Sequence, residues 1–252
     1  MNNQLVHVRE ELFEKENTEV YMRGGIRLGE AEVEYQSYLD NLFSSIDGAS
    51  RPPKTVYDRI LYMRHPWHGV DINEKSPNEI NCIIEIPALS RVKTELDKPT
   101  GLCRVDRILH SSVVYPANYG FIPQTFAEDN DPLDVLVLCQ LSVPPLSLIR
   151  ARPIGVMPMV DSGEADDKII AVAINDPEYN IYHDIADLPP FKLLMINQFF
   201  NDYKTLERKE VRTFKPMGPA KAKTIITRCQ QAYRDYFKLD DPQQKTEGPK
   251  KQ

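Results

Sequence analysis

Three carboxylates, Asp129, Asp131 and Asp134, stand at i, i+2 and i+5 in Glu128-Asp129-Asn130-Asp131-Pro132-Leu133-Asp134, directly before Val135-Leu136-Val137-Leu138. Those last four residues are apolar on both faces of an extended chain and read as a buried strand. A buried strand fixes the groups at its end, and acids fixed close together repel one another unless a cation lies among them. A hard divalent metal is the natural occupant. An isolated pair of aspartates would be a solvated turn, but the third acid argues against that. A calcium loop of the EF-hand kind is excluded, because it needs an oxygen ligand at its fifth position, glycine at the sixth and Glu at the twelfth. Leu133, Asp134 and Gln140 hold those places.

A second acidic turn, Asp161-Ser162-Gly163-Glu164-Ala165-Asp166-Asp167, again leads into a lysine and an apolar run, Lys168 to Ile174. Leu148 to Val160 and Lys168 to Ile174 read as the two strands of a hairpin that carries four acids at its tip. Two acid clusters at strand ends are expected to face one another across a cleft.

The elements that must position these groups are strand-like from residue 81. Asn81 to Pro87, Val92 to Leu96 and Gly101 to Ile108 read as strands, with Pro99-Thr100-Gly101 as a turn. Glu85 is an acid inside an apolar strand, Lys93 and Glu95 share a face by period two, and Arg107 stands beside an apolar position. Tyr115 to Pro123 is an aromatic segment punctuated by proline, and its tyrosine hydroxyls could reach an anion. Asp187 is expected to cap a helix with proline in its first turn, running to about Arg208. Its buried stripe is read as Phe191, Leu194, Met195, Phe199, Tyr203 and Leu206. A second helix spans about Pro219 to Phe237, with Ala222, Ile225, Ile226, Cys229, Tyr233 and Tyr236 inward.

Residues 1 to 80 form an N-terminal extension: an amphipathic helix from Glu30 to Ser45, a Pro-containing linker, and an arm over Val56 to Met63 that ends at His65-Pro66-Trp67-His68. His65 and His68 read as a packed turn rather than as ligands. Residues 81–237 read as the main folded domain, and 238–252 as a polar tail expected to be disordered.

Of the 252 residues, 41% are hydrophobic and 27% charged, enough for one sizeable core with appendages. A net charge of −6 argues against a protein that works mainly on nucleic acid. It leaves room for a small anion, because bound cations reverse the field in an acidic cleft. Cys82, Cys103, Cys139 and Cys229 are widely spaced and form no C-x-x-C pair, which suits a reducing compartment. The first 15 residues do not resemble a signal or transit peptide, and no apolar run is long enough to span a bilayer.

Asp129-Asn130-Asp131-Pro132-Leu133-Asp134 resembles the D-x-D-P-x-D signature of the family I soluble inorganic pyrophosphatases. The resemblance continues through Ile84-Glu85-Ile86-Pro87, Lys93-Thr94-Glu95, Val105-Asp106-Arg107, Tyr115 to Gly120, Asp161 to Lys168 and Phe199 to Lys204. It covers about two thirds of the chain, and the His-Pro-Trp-His entry looks most like the plant and protist branch. It implies a five-stranded, closed antiparallel OB-like barrel with helices packed outside, and hydrolysis of pyrophosphate to two orthophosphates by a metal-activated water. It also implies that Asp129, Asp134, Asp161 and Asp166 bind several Mg²⁺ ions, for which Mn²⁺ or Zn²⁺ could substitute, and that Asp131 deprotonates the attacking water. Lys93, Arg107, Tyr119, Lys168, Tyr203 and Lys204 would grip the phosphates, with Glu85 and Glu95 as supporting acids. The expected partner is pyrophosphate, with no nucleic acid and no membrane, for a monomer or homo-oligomer in the cytoplasm. Two alternatives stay open at this point: hydrolysis of short polyphosphates such as tripolyphosphate in an acidic storage organelle, and an OB-type binding protein without catalysis.

Overall fold

The computed structural model describes residues 65–237. The helix expected over residues 30–45, the arm over 56–63 and the tail over 238–252 lie outside the described residues. Among the described residues there are ten strands: β1 (Ile80–Ile86), β2 (Val92–Asp97), β3 (Leu102–Ile108), β4 (Asn118–Phe121), β5 (Asp134–Leu138), β6 (Leu148–Met157), β7 (Met159–Asp161), β8 (Glu164–Ala165), β9 (Lys168–Ala173) and β10 (Val211–Thr213). Two helices follow the main sheet, α1 (Pro190–Asp202) and α2 (Pro219–Tyr236).

Five strands close a barrel in the order β1-β4-β5-β9-β6. The barrel is mixed, not wholly antiparallel as expected: β5 and β9 run parallel, with Val135 opposite Ile169, and every other neighbour pair is antiparallel. The reason is geometric. Five is odd, so strand direction cannot alternate all the way round a closed ring, and at least one pair must be parallel.

The buried-strand reading of residues 135–138 holds. Val135 and Val137 pack into one cluster with Ile169, Ile225 and Ile226, whereas Leu136 and Leu138 pack into another with Ile170, Ile196 and Phe199. One strand thus joins the layer under α2 to the layer under α1. Full burial of each such side chain contributes about 1.5–3 kcal/mol, so this strand is among the most firmly held in the molecule.

Several expectations are corrected. β4 lies within the segment read only as an aromatic lead-in; its four residues, flanked by Pro116 and Pro123, are too few to show alternation. Gly120 in β4 passes so close to β1 that a Cβ would sit 1.9 Å from the Ile83 carbonyl oxygen. The β2–β3 hairpin forms as read but makes its own two-stranded sheet outside the barrel. The long hairpin before Lys168 is broken after Met157, and β7, β8 and β10 form a separate small sheet.

Asp187 does not cap α1. It closes a capping box with Asp184 around the short 3₁₀ turn Ile185–Asp187, and α1 starts after Pro189 without a side-chain cap. The helix ends at Asp202, and Leu206 belongs to a following 3₁₀ turn, Thr205–Glu207. Its buried stripe is Ile196, Phe199, Phe200 and Tyr203, whereas Phe191, Leu194, Met195 and Leu206 are exposed. The periodicity was right and its phase was off by about one residue, because an apolar composition on two adjacent faces leaves the phase open. In α2 the inward positions are as read except Tyr236, which is exposed. Residues 65–79, assigned to the extension, pack on the barrel through Trp67 and Ile72.

Candidate active site

The parallel pair places two strand starts at one rim of the barrel. Asp134 opens β5 and Lys168 opens β9, so the turns before them, 129–134 and 161–166, lie at the same rim. The β2–β3 hairpin and the end of α1 complete the rim. They enclose a cavity of about 540 Å³. Twelve of the thirteen residues singled out in the sequence line it: Glu85, Lys93, Glu95, Tyr119, Asp129, Asp131, Asp134, Asp161, Asp166, Lys168, Tyr203 and Lys204. Arg107, the thirteenth, stands just outside.

Local backbone irregularities aim these side chains. The register between β1 and β4 slips between Ile84 and Ile86, so Glu85 occupies a bulge and turns out of the apolar alternation. Its Oε1 accepts from the Leu96 backbone N–H at 2.7 Å, tying β1 to β2. Burial, and then the Asp134 charge, push the Glu85 carboxyl up to about 8. A second slip, between Lys93 and Thr94, leaves Asp106 of β3 without a residue opposite it in β2. Lys93 bonds both Glu95 and Asp106.

Lys168 is buried and lies between Asp134 and Asp166, bonding both. Burial alone would lower its ammonium, but the two carboxylates outweigh it and hold it above its ordinary value. Asp166 is pushed up to about 6, by burial first, with Lys168 opposing and Asp134 adding to the rise. Asp129 is also raised, by burial and then by Asp166. Asp161 is lowered: burial would raise it, but the bonds from Lys204 and Tyr203 prevail. Tyr119 donates its hydroxyl to Asp134 Oδ2 at 2.6 Å, and Tyr203 donates to Asp161 Oδ2 at 3.2 Å. Asp131 is paired with Lys98, and its backbone N–H donates to Asp129 Oδ1 at 3.1 Å.

Arg107 is opposite Lys93 in the hairpin, with Nε on Glu207 at 2.8 Å and a bond to Asp106. Its buried Nη2 has no partner among the described residues. An orphaned guanidinium donor beside a cavity that also holds lysines is suited to an anion. Sequence reasoning missed Lys98, Arg104, Tyr115 and Glu207. Lys98 is indistinguishable in sequence from any lysine in a surface turn, and Glu207 lies a hundred residues from the arginine it meets. His65 and His68 stack on one another as a packed turn, as read, with ring centroids 4.7 Å apart.

Eight carboxylates and five cationic side chains line the cavity. The surplus of negative charge lies on hard oxygen donors, with Asp129 and Asp166 raised first by burial and then by neighbouring carboxylates, and oxygen donors of this kind suit a hard divalent ion. As the side chains stand, no three such groups among the described residues converge on one point, because lysines engage Asp134, Asp161 and Asp166. The donor set nevertheless fits the ion, since these lysines are themselves suited to an incoming anion that would draw them off. A barrel with such a rim is suited to a small, highly charged anion bound together with hard cations.

Comparison with known proteins agrees. The family model for inorganic pyrophosphatase matches residues 82–234. Soluble inorganic pyrophosphatase 2 of Chlamydomonas reinhardtii is 54% identical over 173 residues, covering 69% of this chain and 90% of that one. Soluble inorganic pyrophosphatase 4 of Arabidopsis thaliana is 52% identical over 205 residues, covering 81% of this chain and 94% of that one. The crystal structure of inorganic pyrophosphatase from Thermus thermophilus superimposes with a TM-score of 0.64 at 34% identity, covering 66% of this chain and 97% of that one. The chain belongs to the inorganic pyrophosphatase family. Among the described residues, no helix is long and apolar enough to cross a membrane.

Proposed function

We infer that this protein is an inorganic diphosphatase, hydrolysing pyrophosphate to two orthophosphates, with residues 81–237 as the catalytic domain. The observation that carries the reading is the cavity at the start of β5 and β9, where a surplus of carboxylates is interleaved with lysines and tyrosines. Asp129, Asp134, Asp161 and Asp166 are the residues that would hold Mg²⁺. When bound, the metal cancels charge on the substrate and lowers the pKa of water.

The chain's own residues do the rest. Asp131, half-exposed in the turn before β5, takes the proton from the attacking water. Lys93, Lys168 and Lys204 exchange their carboxylate partners for phosphate oxygens, and the unpaired Arg107 Nη2 supplies a further donor. The hydroxyls of Tyr119 and Tyr203 orient the oxygens nearest the acids. Glu85, raised to about 8 and tied to Leu96, holds the hairpin against the barrel, and Glu95 balances Lys93 until substrate arrives. The four spaced, unpaired cysteines suit the cytoplasm.

The test is phosphate release from pyrophosphate and from tripolyphosphate, with Mg²⁺, Mn²⁺ or Zn²⁺. Wild type is expected to prefer pyrophosphate with Mg²⁺. Asp131→Asn is expected to stay folded and turn over at least ~100-fold more slowly, the lower range for losing a general base. Near-normal turnover would place the base elsewhere, and a preference for tripolyphosphate would overturn the substrate.

A further inference from the structure

Lys98 lies in the turn between β2 and β3, reaches into the cavity and pairs with the Asp131 carboxylate. Its Nζ also donates to the Asn130 carbonyl at 3.2 Å, so it holds both side chain and backbone of the turn. That turn needs holding. Asn130 has a left-handed backbone, φ 65°, and Asp131 is half-exposed, a state in which a carboxylate ordinarily samples several rotamers.

Lys98 is itself carried by the segment that precedes the barrel. Its Nζ lies 5.6 Å from the centre of the Trp67 indole, and its carbonyl accepts from His65 Nε2 at 2.7 Å. His65 Nδ1 in turn accepts from the Trp67 backbone N–H at 3.2 Å, so both ring nitrogens are used in one tautomer. Trp67 grips the other flank of the acidic turn. Its Nε1 donates to the Thr125 carbonyl at 2.8 Å, and the fully buried Thr125 hydroxyl accepts from Leu133 N–H at 2.9 Å, one residue before Asp134.

We propose that Lys98, seated on His65 and Trp67, is a positioning residue for the hydrolysis: it fixes the Asn130–Asp131 turn so that the Asp131 carboxylate faces the attacking water. This inference rests on the assignment of Asp131 as proton acceptor. It also gives residues 65–68 a part in the chemistry, although they touch none of the reacting atoms. Misplacing a reacting group by about 1 Å costs up to ~100-fold in rate, so loss of the brace acts on turnover more than on binding.

The experiment measures kcat and KM for pyrophosphate in the full chain with Mg²⁺, for Lys98→Gln, Lys98→Arg, Trp67→Phe, the Lys98→Gln/Trp67→Phe double variant and Asp131→Asn. Backbone amide exchange at Ala127 and Leu133 is followed alongside. Lys98→Gln is expected to lose about 10-fold or more in kcat with KM changed less than about twofold, and Lys98→Arg to recover most of it. The double variant should lose less than the product of the single losses, since both act through one turn. Leu133 exchange should quicken by about 10-fold in Trp67→Phe, which removes the bond to Thr125. Unchanged kcat in Lys98→Gln beside a slow Asp131→Asn overturns the inference alone. A rise in KM at constant kcat makes Lys98 a substrate ligand instead. An active Asp131→Asn overturns the underlying assignment, and the inference with it. Should Trp67→Phe not fold, the two Lys98 variants decide the matter.

Discussion

At the scale of the residue, the cavity is a set of exchanges. Lysines proposed to hold phosphate are engaged by the acids proposed to hold metal, and substrate and ions are expected to replace one set of partners by another. Arg107 and Lys204 separate the two kinds of contribution. Arg107 has an orphaned Nη2 and is fixed from behind by Glu207, whereas Lys204 balances Asp161 in the cavity. Arg107→Ala and Lys204→Ala are each expected to lower kcat/KM by roughly 1.5–3 kcal/mol, the range for a lost charge-assisted hydrogen bond, with the barrel intact. Arg107→Lys should recover little, because an ammonium cannot reproduce the planar fork that meets Glu207 and an anion together. Steady-state kinetics on the three variants checks this, and parental kcat/KM in both alanine variants would leave these residues as solvated charges. Some residues of the cavity were legible in the sequence because they depart from a local pattern, as an acid in an apolar strand or acids packed before a buried strand do; others, such as Tyr203 and Lys204, were singled out only through the resemblance to the pyrophosphatase family. Lys98 departs from nothing and could be found only by where it points.

At the scale of the element, the two bulges and the parallel strand pair convert ordinary strands into a site. The His65-to-His68 turn carries a pH dependence of its own. Burial, and then the neighbouring His65, lower the His68 imidazole from 6.5 to about 4. The unfolded chain then binds more protons than the folded one between those values, so stability is fully present above pH 6.5 and is lost as pH falls towards 4. With a discount for its partial exposure, this group should cost roughly 1–2 kcal/mol across that window. A Tm series from pH 7.5 to 4.5 on wild type and His68→Gln, without metal, should show a flatter acid limb in the variant. Parallel curves would show that His68 contributes nothing to it. Helix and strand existence followed from periodicity. Boundaries and phase did not, since β4 is too short to display a period and the apolar residues of α1 cover two faces, of which packing on the barrel selects one.

At the scale of the whole molecule, two turns some thirty residues apart in sequence converge at one rim, and metal should couple them. Ions bound only by the native state stabilise by RT ln(1 + [L]/Kd), so Mg²⁺ at about 100 times its dissociation constant should add roughly 2.7 kcal/mol per independent site. Asp134 touches Tyr119 and Lys168 and adjoins Asp166 through that lysine, so Asp134→Ala should lose most of the gain. Melting with EDTA and with Mg²⁺ checks it; equal Mg²⁺-induced shifts in wild type and variant would mean that the turns do not share a metal site. What the sequence by itself determined was the chemistry: the acids, the cations among them and the buried strand that fixes one cluster in place, all set by residue type and short-range spacing. Even the need for one parallel pair is implicit in a ring of five strands. Only the tertiary structure decided which pair it would be. Choosing β5 and β9 sets both acidic turns at the same rim, because parallel neighbours begin at the same end, whereas an antiparallel pairing would have sent them to opposite ends of the barrel.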